Sequence, residues 1–309
     1  MIGIAVWMAA IVVGIFLLVK AGDKLSDKIV EVAEKAGISP LIISIILISL
    51  ATTLPEMTTS AIASYEGVNG IALGNALGSI FANIALILGL ASVIRPLKSG
   101  REAFRNSIVM LLSLILVMLL SIDGELSRAD GVILLLAYVI YLYWLYRSHI
   151  HVETVTRKGK STPLDYVMLI ILGLFLVAGA KLVVYGGRNI AEAMGISEYV
   201  IGATIVAIGT SLPEMTNALY GALRERGSIS IGNIIGANIM NALIVLGLAS
   251  IIRPLQTSAS VLTIAFVLAV MVPMIISLKK NGGIGRPLGM YFLGAYALYL
   301  ILLLSGVSL

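Results

Sequence analysis

The sequence contains no cysteine and only two histidines, which excludes disulfides and thiolate metal centres. Any cation it holds must be met by oxygen atoms or by those two histidines, which favours hard cations over zinc or copper. Charge is scarce as well: Asp, Glu, Lys and Arg make up 12% of 309 residues, while 59% are hydrophobic. With a mean hydropathy of +1.06, this describes a polytopic membrane protein of the cell membrane rather than a soluble core. The opening Met1-Ile2-Gly3-Ile4-Ala5-Val6 lacks the basic region of a signal peptide, so a retained transmembrane helix is expected.

The net charge of +5 does not point to nucleic acid, because the basic residues sit in short loops between apolar runs. Runs long enough to cross about 30 Å of hydrocarbon fall near 2–20, 38–64, 70–93, 104–121 and 129–147, and again near 164–184, 196–222, 228–252, 257–277 and 286–306. The expected fold is therefore all-α, with ten transmembrane helices. A first five-helix repeat spans 1–147, a basic linker 148–163, and a second repeat 164–309. Placing the linker in the cytoplasm puts 17 of the 21 Lys and Arg residues on that side, so both termini are expected outside. Tyr138, Tyr141, Tyr143, Trp144 and Tyr146 would then anchor the fifth helix at the cytoplasmic interface. Leu25, Ile29 and Val32, spaced helically among charges, suggest an interfacial amphipathic extension after the first helix.

What is present is a repeat. Thr52-Thr53-Leu54-Pro55-Glu56-Met57-Thr58 recurs as Thr210-Ser211-Leu212-Pro213-Glu214-Met215-Thr216, an offset of 158 residues. The register carries on through Gly74-Asn75 and Gly232-Asn233, Asn83 and Asn241, and Ile94-Arg95-Pro96-Leu97 and Ile252-Arg253-Pro254-Leu255. An odd number of crossings per half makes the halves enter the membrane in opposite senses, an inverted-topology pair of the kind found in secondary transporters.

The duplicated segment carries acid at membrane depth, where ionisable groups are costly and mark function. Pro55 and Pro213 cannot donate to the carbonyls of Ala51 and Gly209, so each helix should break there and free carbonyl oxygens. Beside them stand Thr52, Thr53 and Glu56, and Thr210, Ser211 and Glu214: the carbonyl, hydroxyl and carboxylate oxygens that calcium or sodium requires. Two ionised glutamates carry a charge of −2, matched by one calcium ion, two sodium ions or two protons. Burial and mutual repulsion disfavour two bare carboxylates, so protonation competes with cation binding. Glycines four apart, Gly74 and Gly78 with Gly232 and Gly236, allow close helix approach. Asn83 and Asn241 follow five residues after the second glycine, either as cation ligands or as hydrogen bonds between helices. Back-bonding to helix carbonyls is the rival role of the threonines and serine. His149-Ile150-His151 reads as an exposed basic loop rather than a metal pair.

These paired motifs, with Gly-Thr-Ser-Leu-Pro-Glu intact at Gly209 to Glu214, resemble the two alpha repeats of the sodium/calcium exchanger family within the calcium/cation antiporter superfamily, in its compact prokaryotic form. The resemblance implies alternating access around four cation sites, with Glu56 and Glu214 central and the carbonyls of Thr52 and Thr210 joining them for calcium. It implies that sodium is held by Ser49, Thr53, Ser79, Ala207, Thr210 and Ser211, that Asn83 and Asn241 border the middle position, and that helices one and six form a sliding gate. Three departures stand out: Ala51-Thr52-Thr53 in the first repeat, Ala237 opposite Ser79, and Asn241 where some microbial members carry aspartate.

The expected function is secondary active exchange of calcium for sodium, with calcium/proton exchange the alternative favoured by Ala237. A cation channel fits less well, since selectivity filters usually come from rings of subunits rather than two internal halves. An intramembrane hydrolase would rest on the two glutamates alone, so no enzyme is expected. The partners implied are calcium and sodium ions and the lipid bilayer, with no cofactor, no nucleic acid and no obligatory protein partner, as suits a monomer.

Overall fold

The structure, a computed structural model, describes residues 2–36, 50, 52–148 and 162–305. Among the described residues eight helices are long and apolar enough to cross a membrane: α1 (Ile2–Ala36), α3 (Asn69–Ile94), α4 (Arg101–Leu120), α5 (Arg128–Ser148), α6 (Pro163–Met194), α8 (Gly227–Ile252), α9 (Val261–Asn281) and α10 (Arg286–Leu304). Two further crossings are interrupted. The second is described over α2 (Leu54–Tyr65), and the seventh is split into α7a (Glu198–Thr210) and α7b (Leu212–Leu223).

Burial sorts the helices into a centre and a rim. Residues in the apolar stretches of α3 and α8 are 78% and 83% buried, against 22% in α1 and α5 and 28% in α6 and α10. The outer helices leave Val12, Phe16, Ile170 and Leu174 exposed, as a lipid-facing surface requires. The two central helices are the carriers of the Gly-Asn motifs.

Two miniature antiparallel sheets mark the ends of the bundle. β1 (Leu97–Lys98) pairs with β4 (Gly283–Ile284), and β2 (Glu125–Leu126) pairs with β3 (Leu255–Gln256). Each pairing maps onto the other at the same offset of 158, since Leu97↔Ile284 answers Leu126↔Leu255. Arginines follow the same rule. Arg128 at the start of α5 donates to Ile252 O at 3.4 Å, and Arg286 at the start of α10 donates to Ile94 O at 3.4 Å. Each guanidinium thus meets carbonyls that the end of α8 or α3 leaves without a helical partner. The repeat, visible in sequence to Leu97, therefore reaches the fifth helix of each half.

The β1–β4 end and the β2–β3 end are opposite faces of the bundle, since α4, α5, α9 and α10 each run from one to the other. α1 runs antiparallel to α6 in close contact. A Cβ added at Gly14 would lie 2.7 Å from Gly179 O, so glycine is needed at this crossing. At the β1–β4 end the pair is fastened by charge: Asp165 of α6 meets Lys28 Nζ at 2.6 Å and Lys35 Nζ at 3.0 Å.

One expectation is sharpened and one corrected. The charged stretch after the first crossing is a helical extension: α1 continues unbroken to Ala36, and Lys28 and Lys35 find their partner on α6. Tyr138 is buried rather than interfacial, with its ring 6.1 Å from that of Tyr141. Tyr143 and Tyr146 are exposed, and Arg105 and Arg147 stack over Trp144 and Tyr143.

Candidate cation site

Both prolines act at a helix start rather than as a kink within a helix. The chain leaves helical bonding at Thr53 (φ −86°, ψ 0°) and Ser211 (φ −83°, ψ 11°), then resumes with Leu54 and Leu212. Proline is tolerated in a first turn because the missing N–H has no helical acceptor there. The consequence is electrostatic: Glu56 and Glu214 fall in the first turns of α2 and α7b, where the positive ends of the helix dipoles face them.

Both glutamates are fully buried. Ser211 Oγ donates to Glu56 Oε1 at 2.9 Å, and Thr210 also interacts with that carboxylate. Thr52 of the first half interacts in turn with Glu214, and the two carboxylates are close enough to act on each other. Each half's hydroxyl thus serves the other half's acid. Among the described residues Glu56 Oε2 and both oxygens of Glu214 lack a hydrogen bond of good geometry, and no Lys or Arg pairs with either acid. A buried carboxylate left without a counter-charge costs several kcal/mol, of the order of ~3–5, so this pair calls for a cation or a proton.

The hydroxyls and carbonyls extend the site unequally. Ser211 Oγ is 3.1 Å from Ser79 Oγ, which lies 3.4 Å from the carbonyl of Ala207. This cluster of oxygens runs from Glu56 through Ser211 and Ser79 to a helix carbonyl. At the equivalent place in the other half, Ala237 is buried and offers only a methyl group. Thr53 is buried beside the break and its carbonyl accepts from Met57 N at 3.0 Å. Ser49 lies outside the described residues. Among the described residues no three acidic, histidine or cysteine side chains cluster, so hydroxyl, amide and carbonyl oxygens must complete any coordination shell.

Asn83 and Asn241 each open a π-helical stretch, Asn83–Leu88 and Asn241–Val245. α7b packs on the first stretch and α2 on the second, which brings each asparagine to the helix of the other half's glutamate. Asn83 Nδ2 donates to Asn238 Oδ1 at 2.9 Å, the interhelical role, while its Oδ1 has no partner among the described residues. Asn241 is buried, and neither of its amide atoms has a partner among the described residues. π-Helical turns widen the helix and recur at functional sites; nothing in the local sequence announces them.

Sequence reasoning treats the Gly-Asn motif as packing and misses its asparagine. Asn75 Nδ2 donates to Glu56 O at 3.2 Å and to Ser60 Oγ at 2.9 Å, while its Oδ1 accepts from Thr210 Oγ1 at 2.9 Å. The same threonine hydroxyl lies 3.1 Å from Val206 O, so back-bonding and the asparagine compete for one hydrogen. A signal does exist: an amide repeated at the offset of 158 within a run of small apolar residues. The glycines do serve packing, since a Cβ at Gly78 would lie 2.6 Å from Ala203 Cα of α7a.

A bundle of inverted halves, with two acids at a pair of helix breaks in its centre and no basic partner among the described residues, defines a polytopic membrane transporter of cations. The chain belongs to the sodium/calcium exchanger protein family, whose model matches residues 6–147 and 164–305. It is 36% identical over 294 residues to the uncharacterized membrane protein MJ0091 of Methanocaldococcus jannaschii, covering 94% of this chain and 95% of that one. It is 29% identical over 339 residues to the sodium/calcium exchanger MaX1 of Methanosarcina acetivorans, with 95% and 97% covered. Among solved structures it is similar to the sodium-calcium exchanger NCX_Mj soaked with 10 mM Na+ and zero Ca2+, with a TM-score of 0.67, 35% identity, and 98% and 100% of the two chains covered. The chain is thus an integral membrane transporter, not an enzyme.

Proposed function

We propose that this transporter exchanges calcium for sodium through the Glu56–Glu214 site. The observation that carries the reading is the buried, unpaired carboxylate pair flanked by the oxygens of Ser211, Ser79 and Ala207. One calcium ion neutralises the two acids, with the carbonyls of Thr52 and Thr210 as further ligands. Sodium ions are held by the same acids with Ser49, Thr53, Ser79, Ala207, Thr210 and Ser211. Asn83 and Asn241 border the middle of the site. The names of MaX1 and of the NCX_Mj structures support sodium as the counter-ion.

Two five-helix units, 1–147 and 164–309, are joined by a linker at 148–163 on the cytoplasmic side. Lys28, Lys35, Arg95, Lys98 and Arg226 all belong to the β1–β4 end, which makes that end cytoplasmic and puts the termini outside. Initial uptake of radiolabelled calcium into sodium-loaded proteoliposomes tests the site. Wild type is expected to accumulate calcium and Glu56→Gln to lose it, whereas full uptake by Glu56→Gln would remove the carboxylates from the mechanism.

Calcium/proton exchange is the second reading, favoured by Ala237. With no hydroxyl there, one sodium position loses a ligand that a proton on Glu214 would not need.

A further inference from the structure

Asn238 of α8 is bonded to its own counterpart in the other half. Its Nδ2 donates to Ile80 O of α3 at 3.2 Å, and the two residues are separated by the repeat's own offset of 158. Halves related by a pseudo-two-fold axis can bring a residue against its counterpart only at that axis, so Asn238 lies where α3 and α8 meet in the centre of the bundle. It is fully buried there. The bonds it makes run in one direction. A main-chain carbonyl can only accept, so Ile80 O takes Nδ2 of Asn238 and leaves Asn238 Oδ1 as an acceptor. That oxygen in turn takes Nδ2 of Asn83 at 2.9 Å. The amide of Asn83 is thereby turned so that its oxygen is the end left for any other partner. Only that end of an amide can coordinate a cation, because the other presents hydrogens. The arrangement has no mirror image. Isoleucine at position 80 carries no amide, so it cannot do for Asn241 what Asn238 does for Asn83.

We propose that Asn238 is a positioning residue for calcium, holding the Asn83 amide with its oxygen toward the Glu56–Glu214 site. Asn83 opens the π-helical stretch against which α7b, the helix of Glu214, is packed. An oxygen fixed in advance joins the coordination shell without the entropic cost of ordering it. The two roles weighed for Asn83, cation ligand and hydrogen bond between helices, are then met together, one by each end of its amide. This rests on the exchange reading of the glutamates.

The test is equilibrium binding of radiolabelled calcium to the purified full chain in detergent without sodium. Asn238→Leu keeps the size and branching of the side chain but neither donates nor accepts. It is expected to raise the Kd for calcium by roughly threefold or more, with the number of sites per chain unchanged. Asn83→Leu is expected to weaken binding at least as much. Adding Asn238→Leu to Asn83→Leu should then cost less than about twofold more, because the amide it positions is gone. A role confined to packing would lower the number of competent sites without moving Kd, or would cost as much without Asn83 as with it. An unmoved Kd in Asn238→Leu, or an undiminished further loss on the Asn83→Leu background, overturns the proposal. Should Asn238→Leu not reach the membrane, Asn238→Ser, too short to reach either partner, is read by the same criteria. Glu56→Gln, measured alongside, is expected to lose binding. Wild-type affinity there would overturn the exchange reading itself, whereas loss there with an unmoved Asn238→Leu overturns this inference alone.

Discussion

The two half-sites share a sequence pattern and differ in what surrounds it. In the first, Glu56 is held by Ser211, Ser79 continues the line of oxygens, and α3 is sealed against α7a through Gly78. In the second, Glu214 has no well-formed hydrogen bond among the described residues, Ala237 interrupts the oxygens, and Gly232 and Gly236 of α8 line a cavity. Duplication supplies two copies of the chemistry, and departures from symmetry give each copy its own task.

The largest effect is expected where the halves are alike. Glu56→Gln and Glu214→Gln should each reduce calcium uptake by at least about 100-fold, since a buried charge lost from a pair is worth roughly 3–5 kcal/mol. A variant that retained near-normal uptake would show that one half alone holds calcium. Thermal unfolding in detergent separates the glycine motifs. Gly78→Ala should destabilise by about 1–3 kcal/mol through overpacking against Ala203. Gly232→Ala, whose Cβ would meet no atom of the described residues within 4 Å, should be the milder change.

The serine asymmetry is worth less. Ser79→Ala should weaken the sodium dependence of uptake by roughly fivefold, the value of one neutral ligand. Ala237→Ser should strengthen it if the missing hydroxyl limits sodium binding, as sodium titrations of calcium uptake would read. The smallest effect belongs to the clamp at the β1–β4 end, which has no symmetric copy because Trp7 stands at the counterpart of Asp165. Hydrogen bonds from Lys28 and then Lys35 hold the Glu31 carboxyl below its usual range. Its contribution to stability is therefore present above the unfolded value and lost as pH falls through the lowered folded one. Glu31→Gln should lower the melting temperature slightly at neutral pH, a difference that vanishes in acid below the usual carboxylate range.

Much of this architecture is legible in the residues alone. Ten apolar runs, a motif repeated at an offset of 158 and an odd count per half imply the inverted bundle, and acids at membrane depth single out Glu56 and Glu214. What stays hidden depends on partners far apart in the chain. The Asn75 bridge joins residues 135 positions apart, and the two-residue strands have no propensity of their own to register. The π-helical turns at Asn83 and Asn241 come from packing rather than from local sequence. The end of helix one reads as a helical extension in the sequence, but its partner Asp165, far along the chain, does not.

The central question is what drives calcium across this site. Initial uptake of radiolabelled calcium into proteoliposomes under separate outward sodium, potassium and proton gradients is the most direct measurement. Sodium-driven uptake, indifferent to potassium and little changed by a pH gradient, is the predicted result; uptake that follows the proton gradient and ignores sodium would contradict it.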